Sequence, residues 1–446
     1  MTQKKSFWQN FKKNFPAPVA FVIAAMTLEY AAFGLSDAFA STISEMIVHN
    51  FFLVGAVYGV MNLSLVASLF FLSEFLEIFP PIRIVILGKI IVFLALIGYF
   101  FAAVFQSPIL LFAVAIFNGF GTACREIGSR EILLEHCTQK NASTILGWNS
   151  GLRDGLWSVM ILVSGFLLVS AARFFEISIA KLLPGAFVVG LPFLVVGLFL
   201  LLRVEKKLSR DFFQKQKTEN SPHRFSFRKL FDFFRLFPKM NLPMKFAMIL
   251  LFFLQIIAAT TLLFLPLLAI KLELNFTEIG LLMGIISVPL LFSSLFSIFE
   301  DRGDRLLFIV GGLLLTAFLF FSLAKTSAPL WIGIFSMFIS FSLAIIRPAS
   351  LGLIAANIDH RDAPAIATLQ VFFNRLGTTA GSFGIGFVAQ KFGISNAFFL
   401  IGSFAIFFAI IAIFVRFHFF PKKLRPHFFK IHPLDPKIFS HFHHHS

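Results

Sequence analysis

Twelve stretches of this chain, each about 20 residues or longer, pass with almost no charge, and their recurrence constrains the fold more tightly than any motif. They cover roughly 17–40, 51–74, 84–105, 109–134, 142–170, 179–202, 246–270, 279–299, 306–325, 329–354, 364–390 and 395–416. A helix rises ~1.5 Å per residue, so each is long enough to cross ~30 Å of hydrocarbon. No water reaches a backbone there, and a helix satisfies every N–H and C=O within one segment. Connections as short as Gln106-Ser107-Pro108 leave successive spans antiparallel. Hydrophobic residues make up 58% of the chain and charged residues 13%, against roughly 25% charged in soluble domains. The expectation is an all-α polytopic membrane protein. Its first span holds Glu29 and Asp37 and lacks a small-residue cleavage site, which sets it apart from a secretory signal.

Orientation follows from the basic residues. If the segment carrying Lys4, Lys5, Lys12 and Lys13 is cytoplasmic, 27 of the 38 Lys and Arg fall on the cytoplasmic side, twelve of them within 203–245. Five fall on the other side, and six lie inside spans. Short loops rich in Lys and Arg stay cytoplasmic, so the expectation is a multi-pass protein of the cytoplasmic (inner) membrane with both termini cytoplasmic. The net charge of +16 then reads as a topology signal beside anionic lipid. Membrane lipid is the expected partner of the basic loop and tail, and no nucleic acid is needed to explain them.

The longest polar segment divides the spans six and six. The expected organisation is a cytoplasmic N-tail at 1–16, a six-helix bundle at 17–202, a cytoplasmic linker at 203–245, a second six-helix bundle at 246–416, and a cytoplasmic C-tail at 417–446. Arg125 and Arg153, in the fourth and fifth spans, recur 222 residues later as Arg347 and Arg375 in the tenth and eleventh. Arg83 recurs as Arg305 and Gly155 as Gly377 at the same offset. Such spacing points to an internal duplication and two pseudo-symmetric halves.

Twelve spans in two sets of six around a central loop resemble the major facilitator superfamily over nearly the whole chain. That family carries an Asp-Arg-x-Gly-Arg cluster between its second and third helices, and again between its eighth and ninth. The later copy here reads Asp301-Arg302-Gly303-Asp304-Arg305, with Asp304 where the family has glycine. The earlier copy keeps Arg83, with Glu77 as the nearest acid. The resemblance implies a cytoplasmic gate built from Asp301, Arg302, Asp304, Arg305, Glu77 and Arg83. Carboxylates and guanidiniums at helix ends can pair across the halves and shut one face. Two other family marks are incomplete. Ala115 stands three residues before Asn118-Gly119, where proton-linked members carry Arg ahead of Gln-Gly, and Leu156 follows Gly155 where exporters carry Pro.

Charges in hydrocarbon are costly and mark solute or proton paths. Counting ~1.5 Å per residue from the cytoplasmic ends, Glu29, Arg125 and Arg153 lie about 18, 14 and 16 Å deep, near the midplane. The resemblance implies that helices 1, 4, 7 and 10 line a central cavity, that 2, 5, 8 and 11 flank it, and that the rest face outward. Glu29, Arg125, Glu126, Arg153, Asp154, Arg347 and Arg375 all fall in the first two groups, whereas Lys89 falls near the end of an outward-facing helix. Two readings of these charges stay open. Arg125 with Asp154, or Arg153 with Glu126, can tie the fourth and fifth helices together as buried pairs. Alternatively the arginines face an anionic solute, or a carboxylate reaching across, since Arg347 and Arg375 have no intramembrane acid in their own half. On that reading Arg125, Arg153, Arg347, Arg375, Asn149 and Asn374 are candidate solute ligands. Tyr30, Gln255 and Gln370 add hydrogen-bonding groups, and Glu29, Glu126 and Asp154 are candidate proton carriers, Glu29 foremost. Asp37, nearer the outer end, is expected to be solvated.

Other chemistry finds little support. Cys124 and Cys137 are too few for a disulfide framework or a metal site, and no phosphate-binding glycine loop or HExxH run occurs. No cofactor, metal or catalytic constellation is expected. The expected function is secondary transport of a small organic solute by alternating access, proton-coupled and with an anionic substrate, by a monomer. The alternative is a non-transporting membrane sensor or scaffold derived from the same fold.

Overall fold

Each of the twelve uncharged stretches is helical over most of its described residues. The computed structural model describes residues 17–136, 142–219, 237–291, 304–355, 357 and 363–419, among which there are helices and turns and no strand. The long helices are α1 (Ala17–Val48), α2 (Phe51–Ile78), α3 (Pro81–Val104), α4 (Pro108–His136), α5 (Ala142–Phe175) and α6 (Leu191–Glu219) in the first half. The second half holds α7 (Leu242–Lys271), α8 (Phe276–Leu291), α9 (Arg305–Lys325), α10 (Pro329–Ala355), α11 (Ala363–Phe392) and α12 (Ile394–Phe419). The sixth span differs from a single rod. Three short turns, Ile179–Leu182, Leu183–Gly185 and Ala186–Val189, lead into α6, which then continues well past Leu202. The expected linker therefore begins as helix.

Local chemistry sets the helix ends. The side chains of Asn50, Asn241 and Asp304 accept hydrogen bonds from the N–H groups of Leu53, Met244 and Leu306 at 3.1, 3.0 and 3.0 Å, satisfying first-turn donors that have no partner within the helix. Left-handed residues close the other ends: His49, Gln106, Glu176, Glu273 and Gly393 follow α1, α3, α5, α7 and α11. All five end odd-numbered helices, so these sharp reversals collect on one face of the bundle, here termed the turn face. The opposite, terminal face is where α1 begins and α12 ends.

Packing repeats across the halves. In the first, α1 packs on α5 and α6, α2 on α4, and α3 on α4 and α6. In the second, α7 packs on α11 and α12, α8 on α10, and α9 on α10 and α12, which is the same scheme with six added to each number. The molecule is thus two pseudo-symmetric six-helix bundles, as the recurring arginines lead one to expect. Large apolar side chains such as Leu94, Phe117, Phe199, Phe318 and Ile410 stay exposed on the outside, as suits a surface solvated by lipid tails.

The halves meet through α2–α11, α5–α8 and α1–α7. Glycine lets two of these seams close at the turn face. A methyl group on Gly55 would stand 2.1 Å from the carbonyl oxygen of Ser382, and one on Gly165 would stand 2.7 Å from that of Phe276. Beside them the Gln390 side chain accepts the N–H of Phe51 at 2.8 Å, joining α11 to α2. Toward the terminal face, Gly151 borders open space and Leu152 is exposed.

Candidate functional site

The deepest charges form one cluster. Glu29 of α1 is wholly buried between Arg125 of α4, whose Nε lies 2.9 Å from Oε1, and Lys89 of α3, whose Nζ lies 3.4 Å from Oε2. Lys89 Nζ also donates to the carbonyl of Ala25 at 2.7 Å. Gly197 of α6 makes room for it, since a methyl group there would stand 2.7 Å from Nζ. The Arg125 guanidinium meets Glu29 off its donor axes. The attraction is coulombic, and Nε, Nη1 and both carboxylate oxygens are left without a hydrogen bond.

Lys89 corrects the sequence reading, which put it near the end of an outward-facing helix. It is among the most buried side chains of the protein, 1% exposed. Eight residues separate it from Pro81, or ~12 Å of helix. At that depth an ammonium is far better placed against a carboxylate than against lipid.

Glu126, the next residue of α4, faces another way. Both its oxygens accept from Nη2 of Arg375 on α11, so the pair spans the two halves. Arg125 Nη2 stands 3.7 Å from the same carboxylate. Neither pairing expected between the fourth and fifth helices forms, because α4 and α5 pack little against each other. Arg153 instead bonds its neighbour Asp154, Nε to Oδ1 at 3.0 Å. Its guanidinium lies 4.6 Å from the Tyr30 ring centre, and that of Arg125 lies 5.2 Å from it, so two cations share one aromatic ring. Arg347 of α10 is exposed. It has no ion pair among the described residues and lies in the field of Asp154, Arg153 and Arg375. Among the described residues, Lys89, Arg125, Arg153, Arg347 and Arg375 stand against three carboxylates at this end, Glu29, Glu126 and Asp154, an excess of two positive charges before Asp37 at the far end of the cavity is counted.

A cavity of about 210 Å³ opens beside this cluster. One end is walled by Tyr30, Arg125, Glu126 and Arg375, and the other by Asp37, Tyr58, Tyr99 and Asn118. Glu29 is not on the wall; it stands behind Arg125. Asp37, expected to be solvated, is half-buried there and accepts from Trp157 Nε1 at 2.9 Å. Asn149 and Asn374 lie outside this lining, and each keeps a buried side-chain oxygen without a hydrogen-bond partner. Gln255 accepts from Thr378 at 3.4 Å, a tie between α7 and α11.

At the terminal face the charged residues pair within each half. Arg83 Nε meets Glu205 Oε1 at 2.9 Å, joining α3 to α6, and Arg416 Nε meets Asp304 Oδ2 at 2.7 Å, joining α12 to α9. Arg305 Nη1 donates to the carbonyl of Gly352 on α10 at 2.9 Å. These contacts lie within each half, and the contacts described above draw the two halves together at the turn face. Asp301 and Arg302 lie outside the described residues. Glu77 sits in the last turn of α2, and its side chain lies outside them as well.

Comparison with known proteins agrees with this geometry. A model of the Major Facilitator Superfamily matches residues 22–382 and 247–443. A variant of the nucleoside transporter NupG superposes with a TM-score of 0.67 at 14% identity, covering 89% of this chain and 99% of that one. A POT family transporter in complex with 5-aminolevulinic acid gives 0.65 at 11% identity, over 89% and 95% of the two chains. A D-xylose-proton symporter gives 0.65 at 13% identity, over 89% and 96%. No curated protein matches in sequence. With a family match over most of its length and two six-helix bundles that repeat each other's packing around a charged cavity, the chain belongs to the major facilitator superfamily of membrane transporters.

Proposed function

We propose that the protein is a proton-coupled secondary transporter of a small organic anion, working by alternating access. The observation that carries the reading is the state of the two guanidiniums on the cavity wall: Arg125 is held by Glu29, and Arg375 by Glu126 from the opposite half. An incoming carboxylate competes for both. Taking Arg125 leaves Glu29 with Lys89 alone, and taking Arg375 leaves Glu126 with the more distant Arg125. A stranded carboxylate in a dry interior is costly while charged, so proton uptake accompanies anion binding and both are carried by the same conformer. The two excess positive charges at the arginine end favour the same class of solute.

Displacing Glu126 from Arg375 also breaks an ion pair between the halves, which links binding to their rocking motion. The 27-to-5 charge split supports a cytoplasmic terminal face, and on that reading this conformer is inward-open. Arg347, Arg153, Asn149 and Asn374 are the groups a solute meets on that side, with Asp154 balancing Arg153. Arg83 and Asp304, engaged within their own halves here, exchange partners with Glu77, Asp301, Arg302 and Arg305 when that face closes. The protein does this as a monomer in lipid.

Proteoliposomes with an acidic exterior test the reading with a panel of labelled mono- and dicarboxylates. The wild type should accumulate at least one of them. Glu29→Gln, combined with Lys89→Met to keep the buried charge balanced, should lose accumulation while retaining exchange. Accumulation equal to wild type in that variant, or uptake only of solutes that carry no anionic group, would overturn it.

A further inference from the structure

The cavity has a second pole that a simple anion does not use. Asp37 lies eight residues from Glu29 along α1, and Asn118 seven residues from Arg125 along the antiparallel α4. At ~1.5 Å per residue, both measures separate the backbones at the two ends by about 10–12 Å along the same direction. Trp157 occupies only one oxygen of Asp37. Asn118 is 8% exposed, and its Nδ2 is directed at Met61 Sδ, 3.3 Å away, and at Tyr99 Oη, 3.5 Å away. Its Oδ1 has no hydrogen-bond partner. This end therefore offers an anionic acceptor and an orphaned neutral acceptor, with the rings of Tyr58 and Tyr99 beside them, and no cation among its lining residues.

We infer that the transported solute is a zwitterion, with its anionic group at Arg125 and Arg375 and a primary ammonium at Asp37 and Asn118. An ammonium supplies three donors and no acceptor, which suits the Asp37 carboxylate and the unpartnered Asn118 oxygen, and the hydroxyls of Tyr58 and Tyr99 can accept from it as well. Hydrogen-bond contacts of roughly 3 Å at each pole leave about 4–6 Å between the two charged groups of the solute. That is the span of a short ω-amino acid. The inference rests on the anion reading above and adds the second charge to it. A rival role for Asp37, as another proton carrier, makes a different forecast in the same experiment.

Purified protein in detergent is titrated with butyrate, butylamine, γ-aminobutyrate and δ-aminovalerate, and binding is read from the shift in thermal unfolding. One of the two zwitterions should bind wild-type protein about tenfold or more tightly than butyrate. Asp37→Asn, which can still accept from Trp157, should bring the zwitterion down to the affinity of butyrate, and Asn118→Leu should act in the same direction. Equal binding of butyrate and both zwitterions by wild type overturns the inference and leaves the anion reading standing. Retained zwitterion preference in Asp37→Asn also overturns it, and makes the carboxylate a proton carrier. Binding of butylamine alone removes both readings. Failure of every probe to bind overturns the zwitterion, whose recognition is defined by these two charges.

Discussion

Removing the carboxylate at the centre of the buried cluster should be far more damaging than removing the ammonium beside it. Glu29→Gln leaves Arg125 and Lys89 facing each other across a neutral amide with no counter-ion between them. Losing one partner of a buried ionic group costs about 3–5 kcal/mol. At roughly 2–4 °C per kcal/mol, taken from domains about the size of one bundle, the unfolding midpoint should fall by about 6–20 °C. Lys89→Met leaves Glu29 with Arg125 at 2.9 Å, a neutral pair, and a side chain of similar length in the space that Gly197 provides. Its cost reduces to one hydrogen bond to the Ala25 carbonyl, about 1 kcal/mol. The double variant removes one charge of each sign and should be more stable than Glu29→Gln alone. A coupling energy of about 2 kcal/mol or more is expected between sites in one such network. Thermal unfolding in detergent, followed by tryptophan fluorescence, reads all three variants. Additive losses would refute the view that Lys89, Glu29 and Arg125 form one coupled charge cluster.

Other consequences follow from the same geometry. Arg125→Lys keeps the charge and loses the planar fork, so anion binding measured by titration should weaken on the order of tenfold or more; unchanged affinity would remove Arg125 from the solute site. Gly165→Leu drives a side chain into the Phe276 carbonyl across α5–α8 and should hold the turn face open, which labelling of a Ser36→Cys reporter from that side would detect; no gain in labelling would mean that this seam is not a gate. A cysteine placed at Lys215 should be labelled only from the cytoplasmic side of sealed vesicles, and labelling from outside would invert the topology. Asp304→Asn breaks a partly exposed ion pair to Arg416 and should change stability by no more than about 1 kcal/mol, while altering the rate at which the terminal face closes in cross-linking kinetics.

The helices were legible because a span free of charge and long enough to cross hydrocarbon has one backbone solution, and the twelve expected segments agree with α1–α12 to within a few residues at most ends. The first helix runs eight residues further, to Val48; in the sixth, Pro184 and Gly190 break the entry and the helix continues past Leu202 into the expected linker; the expected end of the eighth lies outside the described residues. Residue types at the site were legible for the same reason: an Arg or Glu inside a span is conspicuous. Their pairings were not. Glu126 and Arg375 are 249 residues apart, and only the packing of the two halves brings them together. The duplication itself misled here. Arg153 and Arg375 hold equivalent positions, but the residue after Arg153 is Asp154 and the residue after Arg375 is Leu376, so one arginine is satisfied locally and the other reaches across the cavity. Lys89 carried only a weak signal: counted from the expected start of its span at 84 it lies about 7.5 Å in, and the helix start at Pro81 is what deepens it. Asp37 and Asn118 needed the cavity before their role could be seen.

Proton uptake on solute binding tests the central claim most directly. Purified protein in weakly buffered detergent solution is mixed with a bound carboxylate or amino acid, and the pH change is read against the amount of solute bound. About one proton should be taken up per solute by the wild type, and clearly less by the Glu29→Gln, Lys89→Met double variant at equal solute occupancy. Solute bound by the wild type with no proton taken up, or equal uptake in the variant, would contradict the exchange of Arg125 between Glu29 and the solute.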